Sequence, residues 1–474
     1  MLNKLLLLTS VLITALGLFA VPFPDGPVAL LAAAVLAVIT LSIFRRFTDE
    51  KEFITTVFLL GLMLRIGFGL LVHIFEWRDF FGGDAMAYDM YGANLVDTWM
   101  GHPPLNNPLI NQNDPGSGYA WGMTYFTGFV YLLLGRNILA AQSVCAVIGA
   151  ATAPMVFFCS KKIFNNLRVA KFAALSIAVF PSFVIWSSQL LKDGLIIFLL
   201  VLAMTMVLQL QTKFSYTALA LLVFSLFGAS TLRFYIFYMV LVAVAGSFLI
   251  GTSSSDRSMF RRIAVILLTG FSLLYLGVQR NATVELTKFA NLERIQSSRS
   301  NLARSADSGF NQETDVSTTE GAISAVPIGF AYLMFAPFPW QAVNLRQAIT
   351  IPEVLLWWAM LPFLVIGLIY SVRHKLRNAF PILIFSVLLT LSYSILQGNV
   401  GTAYRQRTQI QVFLFIFIGV GWIVFQERRE NKKILRADAR RRVENQLRVN
   451  VKPRDPEPVD TEDQHEDYQD SNEK

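Results

Sequence analysis

The chain has 474 residues, of which 54% are hydrophobic and only 15% are charged. This composition leaves too little polar surface to cover a soluble globule and indicates a membrane protein. The formal net charge of +8 does not indicate a nucleic-acid partner, because Lys and Arg fall in short clusters between apolar runs, as in cytoplasmic loops.

Apolar runs of about 18 or more residues recur along the chain and are long enough to cross a hydrocarbon core of roughly 30 Å. Only helices satisfy their own backbone polar groups in lipid at this segment length, so the predicted fold class is all-α, a polytopic transmembrane helical bundle. The basic clusters that separate the runs lie at 45–51, 161–171, 257–262, 373–377 and from 428 onward.

If all these clusters face the cytoplasm, the chain has about twelve spans with both termini inside. The first span also fits a secretory signal peptide, with Lys4 in its basic region and the small residue Ala20 near a cleavage site. The predicted spans are 4–21, 27–44, 53–75, 137–159, 172–189, 194–210, 217–231, 235–251, 262–278, 351–371, 378–396 and 409–425.

Three outward-facing segments depart from the span pattern. Residues 121–134, "WGMTYFTGFVYLLL", predict an interfacial helix whose aromatic side chains suit the headgroup region. Residues 324–340 contain three prolines and predict a partial insertion. The polar residues 284–320 fit either a mobile loop that orders over a substrate or a surface linker.

The polar stretch "GGDAMAYDMYG" follows the third span and brings two carboxylates to the outer side. Asp84 and Tyr88 are four residues apart, so a helix starting here places both on one face, with Asp89 pointing elsewhere. Asp84 fits a catalytic role or, alternatively, the N-cap of that helix. Asp89 is the secondary candidate, and we expect it to bond to Tyr91 or Asn94.

Cations at the outer ends of spans are exceptions to the positive-inside rule. Lys192 and Asp193 lie in "QLLKDG", Arg233 in "TLRFY", and Arg405 and Arg407 in "GNVGTAYRQRTQ". Paired arginines preceded by "GNVG" suit close backbone approach and bidentate hydrogen bonding to a phosphate. The alternative is that the arginines extend to lipid headgroups.

A carboxylate together with several cations suits transfer from a lipid-phosphate donor. Asp84 would accept a proton from an acceptor hydroxyl, while the cations stabilise charge on the departing phosphate. Because one donor headgroup must meet both sides, we expect Asp84 within about 10 Å of the Arg405 guanidinium. The predicted substrate-binding residues are Tyr88, Asp89, Lys192, Asp193, Arg233, Tyr235, Tyr404, Arg405 and Arg407.

The order of these features resembles a known superfamily. "GGDAMAYDMYGANLVDTW", the aromatic helix after it, the basic turn near Lys161 and the Pro-containing helix ending in "LLKDG" resemble the N-terminal module of the GT-C superfamily. That superfamily includes protein O-mannosyltransferases, lipid A aminoarabinose transferase and bacterial polyprenyl-phosphate-sugar glycosyltransferases. The resemblance covers about residues 53–260, and "YRQRTQIQVFLFIFIGVGW" resembles the start of a late helix in bacterial members.

The resemblance implies a glycosyltransferase with Asp84 as catalytic base, Lys192-Asp193 as a second charged motif, and Arg405 or Arg407 on the lipid phosphate. The implied reaction moves a sugar from a polyprenyl-phosphate donor to a lipid, glycan or protein acceptor, at the extracytoplasmic face of a bacterial inner membrane. The second motif differs from the commoner Arg followed by an acid, so metal use is not inherited. No cofactor is indicated, and one carboxylate pair is a poor metal site, so a divalent metal has no support.

The sequence leaves two rival functions open, and it predicts four regions in the chain. One rival is a polysaccharide polymerase or ligase acting on polyprenyl-diphosphate-linked glycans, and the other is a lipid-linked sugar transporter or flippase. A transporter predicts ionisable residues near mid-membrane, where only Arg65, with no named partner, fits. The regions are 1–52 with two extra N-terminal helices, 53–260 as the GT-C-like catalytic module, 261–425 as a C-terminal transmembrane region with outer loop 279–350, and 426–474 as a partly disordered cytoplasmic tail.

Overall fold

The computed structural model is helical throughout the parts it describes. Among these residues the chain forms no strand, and its single isolated bridge joins Gly309 to Asn399 in antiparallel fashion. The all-α class is therefore confirmed. The structure describes residues 2–81, 83–102, 121–250, 256–278, 291–304, 308–310, 314–342 and 344–450.

The described helices run in chain order as follows. They are α1 (Leu2–Ala20), α2 (Asp25–Arg45), α3 (Lys51–Ile74), α4 (Arg78–Phe81), α5 (Asp84–Trp99), α6 (Trp121–Leu134), α7 (Ile138–Phe164), α8 (Leu167–Val179), α9 (Pro181–Ser187), α10 (Lys192–Thr212), α11 (Tyr216–Leu232), α12 (Phe234–Ile250), α13 (Asp256–Tyr275), α14 (Leu292–Arg304), α15 (Thr319–Phe335), a 3₁₀ turn (Pro339–Gln341), α16 (Leu345–His374), α17 (Leu376–Leu396) and α18 (Val400–Asn450).

Seven of the described helices are long and apolar enough to cross a membrane, namely α2, α3, α7, α10, α16, α17 and α18. The pair α8 and α9 would be an eighth span, broken by a bend of 53°. Other predicted spans coincide with shorter apolar helices such as α11 and α12. The chain is thus consistent with a multi-pass membrane protein, and the count of twelve stays a prediction.

Arg65 explains how the break between α8 and α9 is tolerated. Pro181 has no backbone N–H and interrupts the helical hydrogen bonds, which leaves carbonyl groups without intrahelical donors. The buried Arg65 guanidinium donates to the carbonyls of Ala178 (3.1 Å) and Ile177 (3.2 Å), and its Nε donates to Ser187 Oγ (2.7 Å) in α9. Arg65, a functional candidate from the sequence, therefore has a structural role.

The charged residues separate to two ends of the bundle. Lys171 pairs with Glu50 at 2.7 Å, and Lys162 and Arg261 both bond to the last turn of α10. Three of the predicted basic clusters therefore share one end. Lys192 begins α10, and a helix of 21 residues is about 30 Å long, so Lys192 lies at the opposite end.

Helix α18 is packed tightly against α16 near the middle of its apolar part. A Cβ atom at Gly367 would lie 1.8 Å from the Phe417 carbonyl oxygen, and one at Gly421 would lie 1.8 Å from the Phe363 carbonyl oxygen. The two backbones therefore touch where only glycine fits, as is common between membrane helices. Residues 407–421 of α18, on the N-terminal side of this contact, are all buried.

The chain divides into two units, Met1–Val424 and Phe425–Lys474. The described part of the second unit is helical and mostly exposed. The division falls one residue from the predicted start of the tail at 426, and all the predicted region boundaries stay predictions. The acidic end predicted to be disordered, 451–474, lies outside the described residues.

Candidate functional site

Asp84 is the first residue of α5 and bonds to a residue far along the chain. The N-cap of α5 is Gly83, and no side chain caps this helix, so the capping alternative for Asp84 is wrong. The Asp84 side chain is half exposed, and its Oδ2 accepts a hydrogen bond from Arg405 Nη1 at 3.0 Å. This distance lies well inside the 10 Å limit expected from the sequence.

Arg405 bridges two carboxylates. Its Nε and Nη2 lie 2.6 and 2.5 Å from Asp193 Oδ2, while its Nη1 binds Asp84. The Arg405 Cζ also lies 5.4 Å from the ring centre of Trp186, a cation–π contact that the sequence analysis did not foresee. These partners hold the planar guanidinium in one orientation.

Asp193 is the buried centre of the site. Its Oδ1 accepts a hydrogen bond from Arg233 Nη2 at 3.2 Å, and its side chain has no exposed surface. It lies in the first turn of α10, where the helix dipole favours a negative charge. Asp193 was predicted to bind substrate, but it is enclosed by the arginines and instead orients Arg233 and Arg405.

Lys192 completes the group, because it interacts electrostatically with all four of these residues. Asp84, Lys192, Asp193, Arg233 and Arg405 are called the Asp84 cluster below. Three basic side chains thus lie beside two carboxylates in this cluster. Basic side chains suit an anionic ligand, and Asp84, the most exposed of the five, opens the cluster to solvent.

Tyr88 borders the Asp84 cluster from the next turn of α5, as the four-residue spacing predicted. Burial, together with the nearby Asp84 carboxylate, raises the pKa of the Tyr88 phenol above its ordinary value. The phenol therefore stays protonated to a higher pH than an ordinary tyrosine does.

Arg407 does not join the Asp84 cluster. It is completely buried, and its Nη1 donates to the carbonyls of Met334 and Ala336, both at 3.0 Å. Residues two apart on a helix do not share a face, so Arg407 points away from Arg405. The prediction that Arg407 binds the donor phosphate is therefore wrong, because the Arg407 guanidinium is bonded to the end of α15.

Tyr404 lies in a different buried network. Its hydroxyl donates to Glu353 Oε2 at 2.7 Å and lies 2.9 Å from Ser182 Oγ, which also bonds to Glu353. Tyr404 is enclosed here and not placed to touch a substrate. The sequence analysis missed Glu353, although an acid within the predicted span 351–371 was a usable signal.

Tyr235 is one step removed from the Asp84 cluster. Its hydroxyl lies 3.4 Å from that of Tyr393, which donates to Gln409 Oε1 at 2.8 Å. The Tyr393 hydroxyl also bonds to Arg233. Tyr235 is therefore connected to the Asp84 cluster through Tyr393.

Asp89 forms a second, local ion pair. It accepts hydrogen bonds from Tyr131 Oη at 2.6 Å and from Arg136 Nη2 at 2.7 Å, and not from Tyr91 or Asn94 as predicted. The hydrogen bond to Asp89 raises the pKa of Arg136. Asp89, Tyr131 and Arg136, the Asp89 cluster, tie α5 to the end of α6. Asp89 was predicted to bind substrate, but its carboxylate is instead bonded to Tyr131 and Arg136.

The "GNVG" segment approaches other parts of the protein's own chain. A Cβ at Gly398 would lie 2.7 Å from the Arg299 carbonyl oxygen, and Phe310 N donates to the Gly398 carbonyl at 2.9 Å. Asn399 Oδ1 accepts from Gly401 N at 2.7 Å and caps α18. Residues 308–310 of the predicted loop are thus anchored at the start of α18.

The described residues include no group of three or more His, Cys, Asp or Glu side chains that could hold a metal ion. Asp84 and Asp193 both bind Arg405, which makes them a poor pair of metal ligands. Comparison with protein-family models gives no match, and comparison with curated proteins gives none either. The functional argument therefore rests on the geometry of the Asp84 cluster.

Proposed function

We propose that this chain is a GT-C-type membrane glycosyltransferase, which moves a sugar from a polyprenyl-phosphate donor to an acceptor. The observation that carries the proposal is the 3.0 Å contact between the half-exposed Asp84 carboxylate and Arg405, within a cluster that has more basic than acidic side chains. An accessible carboxylate beside fixed cations is the arrangement that transfer from a phosphate-linked donor requires.

The proposal includes the topology predicted from the sequence, with about twelve spans and both termini cytoplasmic. Basic residues gather at the end of the bundle opposite Lys192, and cytoplasmic loops of membrane proteins carry an excess of Lys and Arg. By this rule the Asp84 cluster faces the extracytoplasmic side of a bacterial inner membrane.

In the proposed reaction, the donor phosphate enters beside Asp84 and takes over hydrogen bonds of Arg405. Asp84 then accepts the proton of the acceptor hydroxyl, whose oxygen attacks the anomeric carbon of the sugar. The bond from that carbon to the phosphate oxygen breaks, and polyprenyl phosphate leaves with the electron pair. Arg405, Arg233 and Lys192 stabilise the charge on the leaving phosphate. Asp193 keeps the two arginines in position.

Two sets of contacts argue against the two alternative functions. A polymerase or ligase for diphosphate-linked glycans would depend chiefly on outer arginines, but Arg407 is bonded to backbone carbonyls. A flippase would use an ionisable residue near mid-membrane, but Arg65 is bonded at the break between α8 and α9.

The test is sugar transfer by the purified chain in liposomes, with labelled polyprenyl-phosphate sugars and no other enzyme. We expect Asp84→Asn to lower the transfer rate by about 10³-fold, within the range for loss of a general base. Asp79→Asn is the matched control, because Asp79 is also exposed and lies five residues away.

Two results would contradict the proposal. Full activity of Asp84→Asn would remove the base role and favour the polymerase or ligase. Absence of transfer from every donor tried, with lipid-linked sugar crossing the bilayer instead, would favour the flippase.

A further inference from the structure

A cavity of about 200 Å³ lies between the end of α15 and the start of α18, and none of the Asp84 cluster lines it. Small-molecule pockets typically measure about 300–1,000 Å³, so this cavity suits a single ring and not a long chain. The residues of its lining used below are Ser308, Phe310, Tyr332, Phe338, Gln341 and Gln347.

Aromatic rings form the walls of the cavity. Phe310 and Tyr332 stack in parallel, with centroids 4.2 Å apart, and Phe338 meets Tyr332 edge-on at 5.4 Å. These rings pack with Ala336 and Val400 in a small apolar cluster separate from the main core. The cavity is therefore built from several distant parts of the chain, 310, 332–338 and 400, and is not a chance gap in one loop.

Polar groups lie beside these rings. Tyr332 Oη donates to Gln341 Oε1 at 3.1 Å, which leaves the Gln341 amide nitrogen able to donate to a ligand. Ser308 Oγ donates to Asn399 Oδ1 at 3.1 Å and keeps its acceptor capacity. An alkyl chain offers no acceptor for the Gln341 amide nitrogen and no donor for the Ser308 oxygen. A sugar ring offers C–H faces for the aromatic walls and hydroxyls for the Gln341 amide and Ser308.

The cavity lies at the same end of the bundle as Asp84. Gln347 lies in the first turn of α16, and the preceding Arg346 donates to the Asp79 carbonyl at 3.0 Å and lies over the Phe80 ring. These contacts join α16 to α4, directly before Asp84. On its other side the cavity is lined by Val400, at the start of the helix that carries Arg405.

We propose that this cavity binds one sugar ring of a glycan, and that the glycan is the acceptor. The assignment of the glycan as acceptor rests on the proposed glycosyltransferase function, whereas sugar binding by the cavity does not. The proposal selects a glycan from the three acceptor classes that the sequence left open.

The test measures binding directly, using the full chain in lipid nanodiscs because maltoside detergents carry a sugar themselves. The probes are disaccharides of glucose, galactose, mannose and N-acetylglucosamine, followed by saturation-transfer NMR and titration. We expect at least one to bind, and Gln341→Ala and Phe338→Leu each to weaken binding about five- to tenfold. Gln341 is exposed, so its replacement leaves folding intact. Phe330→Leu is the matched control, since Phe330 lies on α15 outside the cavity.

The outcomes separate the two proposals. Asp84→Asn should keep sugar binding while it loses transfer. If no disaccharide binds, or if both cavity variants bind like the wild type, the cavity proposal is overturned even where transfer is observed. If a spin-labelled fatty acid binds and only its binding is weakened by Phe338→Leu, the cavity holds an alkyl chain and the proposal is again wrong. If the cavity variants lose sugar binding but the chain transfers no sugar, the glycosyltransferase proposal fails and the binding site stands.

Discussion

Asp84 and Asp89 lie five residues apart on helix α5, and each pairs with an arginine in a different way. Asp84 reaches Arg405, which lies 321 residues along the chain, and through it the start of α10. Asp89 reaches Arg136, only 47 residues away, at the end of the neighbouring helix α6. The same pair of residue types therefore makes a long-range cluster at one turn of α5 and a local connection at the next.

The two ion pairs differ in which partner is exposed to solvent. In the Asp84–Arg405 pair the aspartate side chain is 50% exposed and the arginine 14%, whereas in the Asp89–Arg136 pair the aspartate is 11% exposed and the arginine 56%. A buried cation with an exposed acid leaves the carboxylate accessible to a substrate. A buried acid with an exposed arginine leaves nothing accessible except a solvated guanidinium, which suits a structural contact.

The largest expected difference is between Arg405→Lys and Arg136→Lys. Lysine has a single ammonium group and cannot reproduce the contacts of the Arg405 guanidinium with Asp84 and Asp193 at once. We expect Arg405→Lys to lower kcat/KM for sugar transfer by about 10²–10³-fold, as for other groups that stabilise transition-state charge. Arg136→Lys should stay within about twofold, because exposed ion pairs contribute little. Equal losses in the two variants would erase the distinction between the clusters.

A second difference should appear in stability. Asp193→Asn leaves Arg233 and Arg405 buried without their shared carboxylate, and removing one partner of a buried ion pair costs about 3–5 kcal/mol. The thermal midpoint of the reconstituted chain should therefore fall clearly in Asp193→Asn, and transfer should fall with it because the arginines lose their orientation. A variant with unchanged midpoint and transfer would show that Asp193 does not position the arginines.

Local patterns predicted part of this arrangement. Hydrophobic run length indicates helices, and the positive-inside rule indicates which helix ends share a side, so Asp84, Lys192, Arg233 and Arg405 were assigned to one end together. Neither pattern specifies which side of α18 faces the cluster. Arg405 and Arg407 differ only by the rotation of that helix, which its packing against α16 determines.

Partners that depend on tertiary contacts were missed for the same reason. Glu353 and Ser182 meet Tyr404 from two other helices, and Trp186 reaches Arg405 from α9. The break at Pro181 was predicted as a continuous span, since composition alone does not show that Arg65 satisfies the carbonyls released there. Long-range side-chain contacts of this kind are not encoded in any short stretch of sequence.

Asp89→Asn should have a smaller effect than Asp193→Asn. The hydrogen bonds to Tyr131 and Arg136 connect only α5 and α6, and Arg136 is more than half exposed, so solvent screens this pair. We expect a loss of about 1 kcal/mol in the free energy of unfolding and transfer within about twofold of the wild type. Transfer assays and thermal melting of Asp193→Asn and Asp89→Asn in one preparation would check which variant has the larger effect. A loss of transfer in Asp89→Asn with folding intact would contradict the prediction.

The smallest expected effect is that of Tyr131→Phe, which removes the hydroxyl that donates to Asp89 at 2.6 Å. The loss should be about 0.5–1.5 kcal/mol in stability. Burial, followed by the Asp89 contact, raises the pKa of the Tyr131 phenol above its ordinary value of 10.0. A group whose pKa is raised by folding contributes its full stabilisation below the unfolded pKa and loses it only as the pH rises through the folded one.

The difference in melting temperature between wild type and Tyr131→Phe should therefore be constant from about pH 6 to about pH 9. The comparison is made by melting both proteins across that interval at one ionic strength. A difference that shrinks within this interval would mean that the hydrogen bond from the Tyr131 phenol to Asp89 does not supply the stabilisation. The division of α5 into a reactive turn and a structural turn would then have to be abandoned.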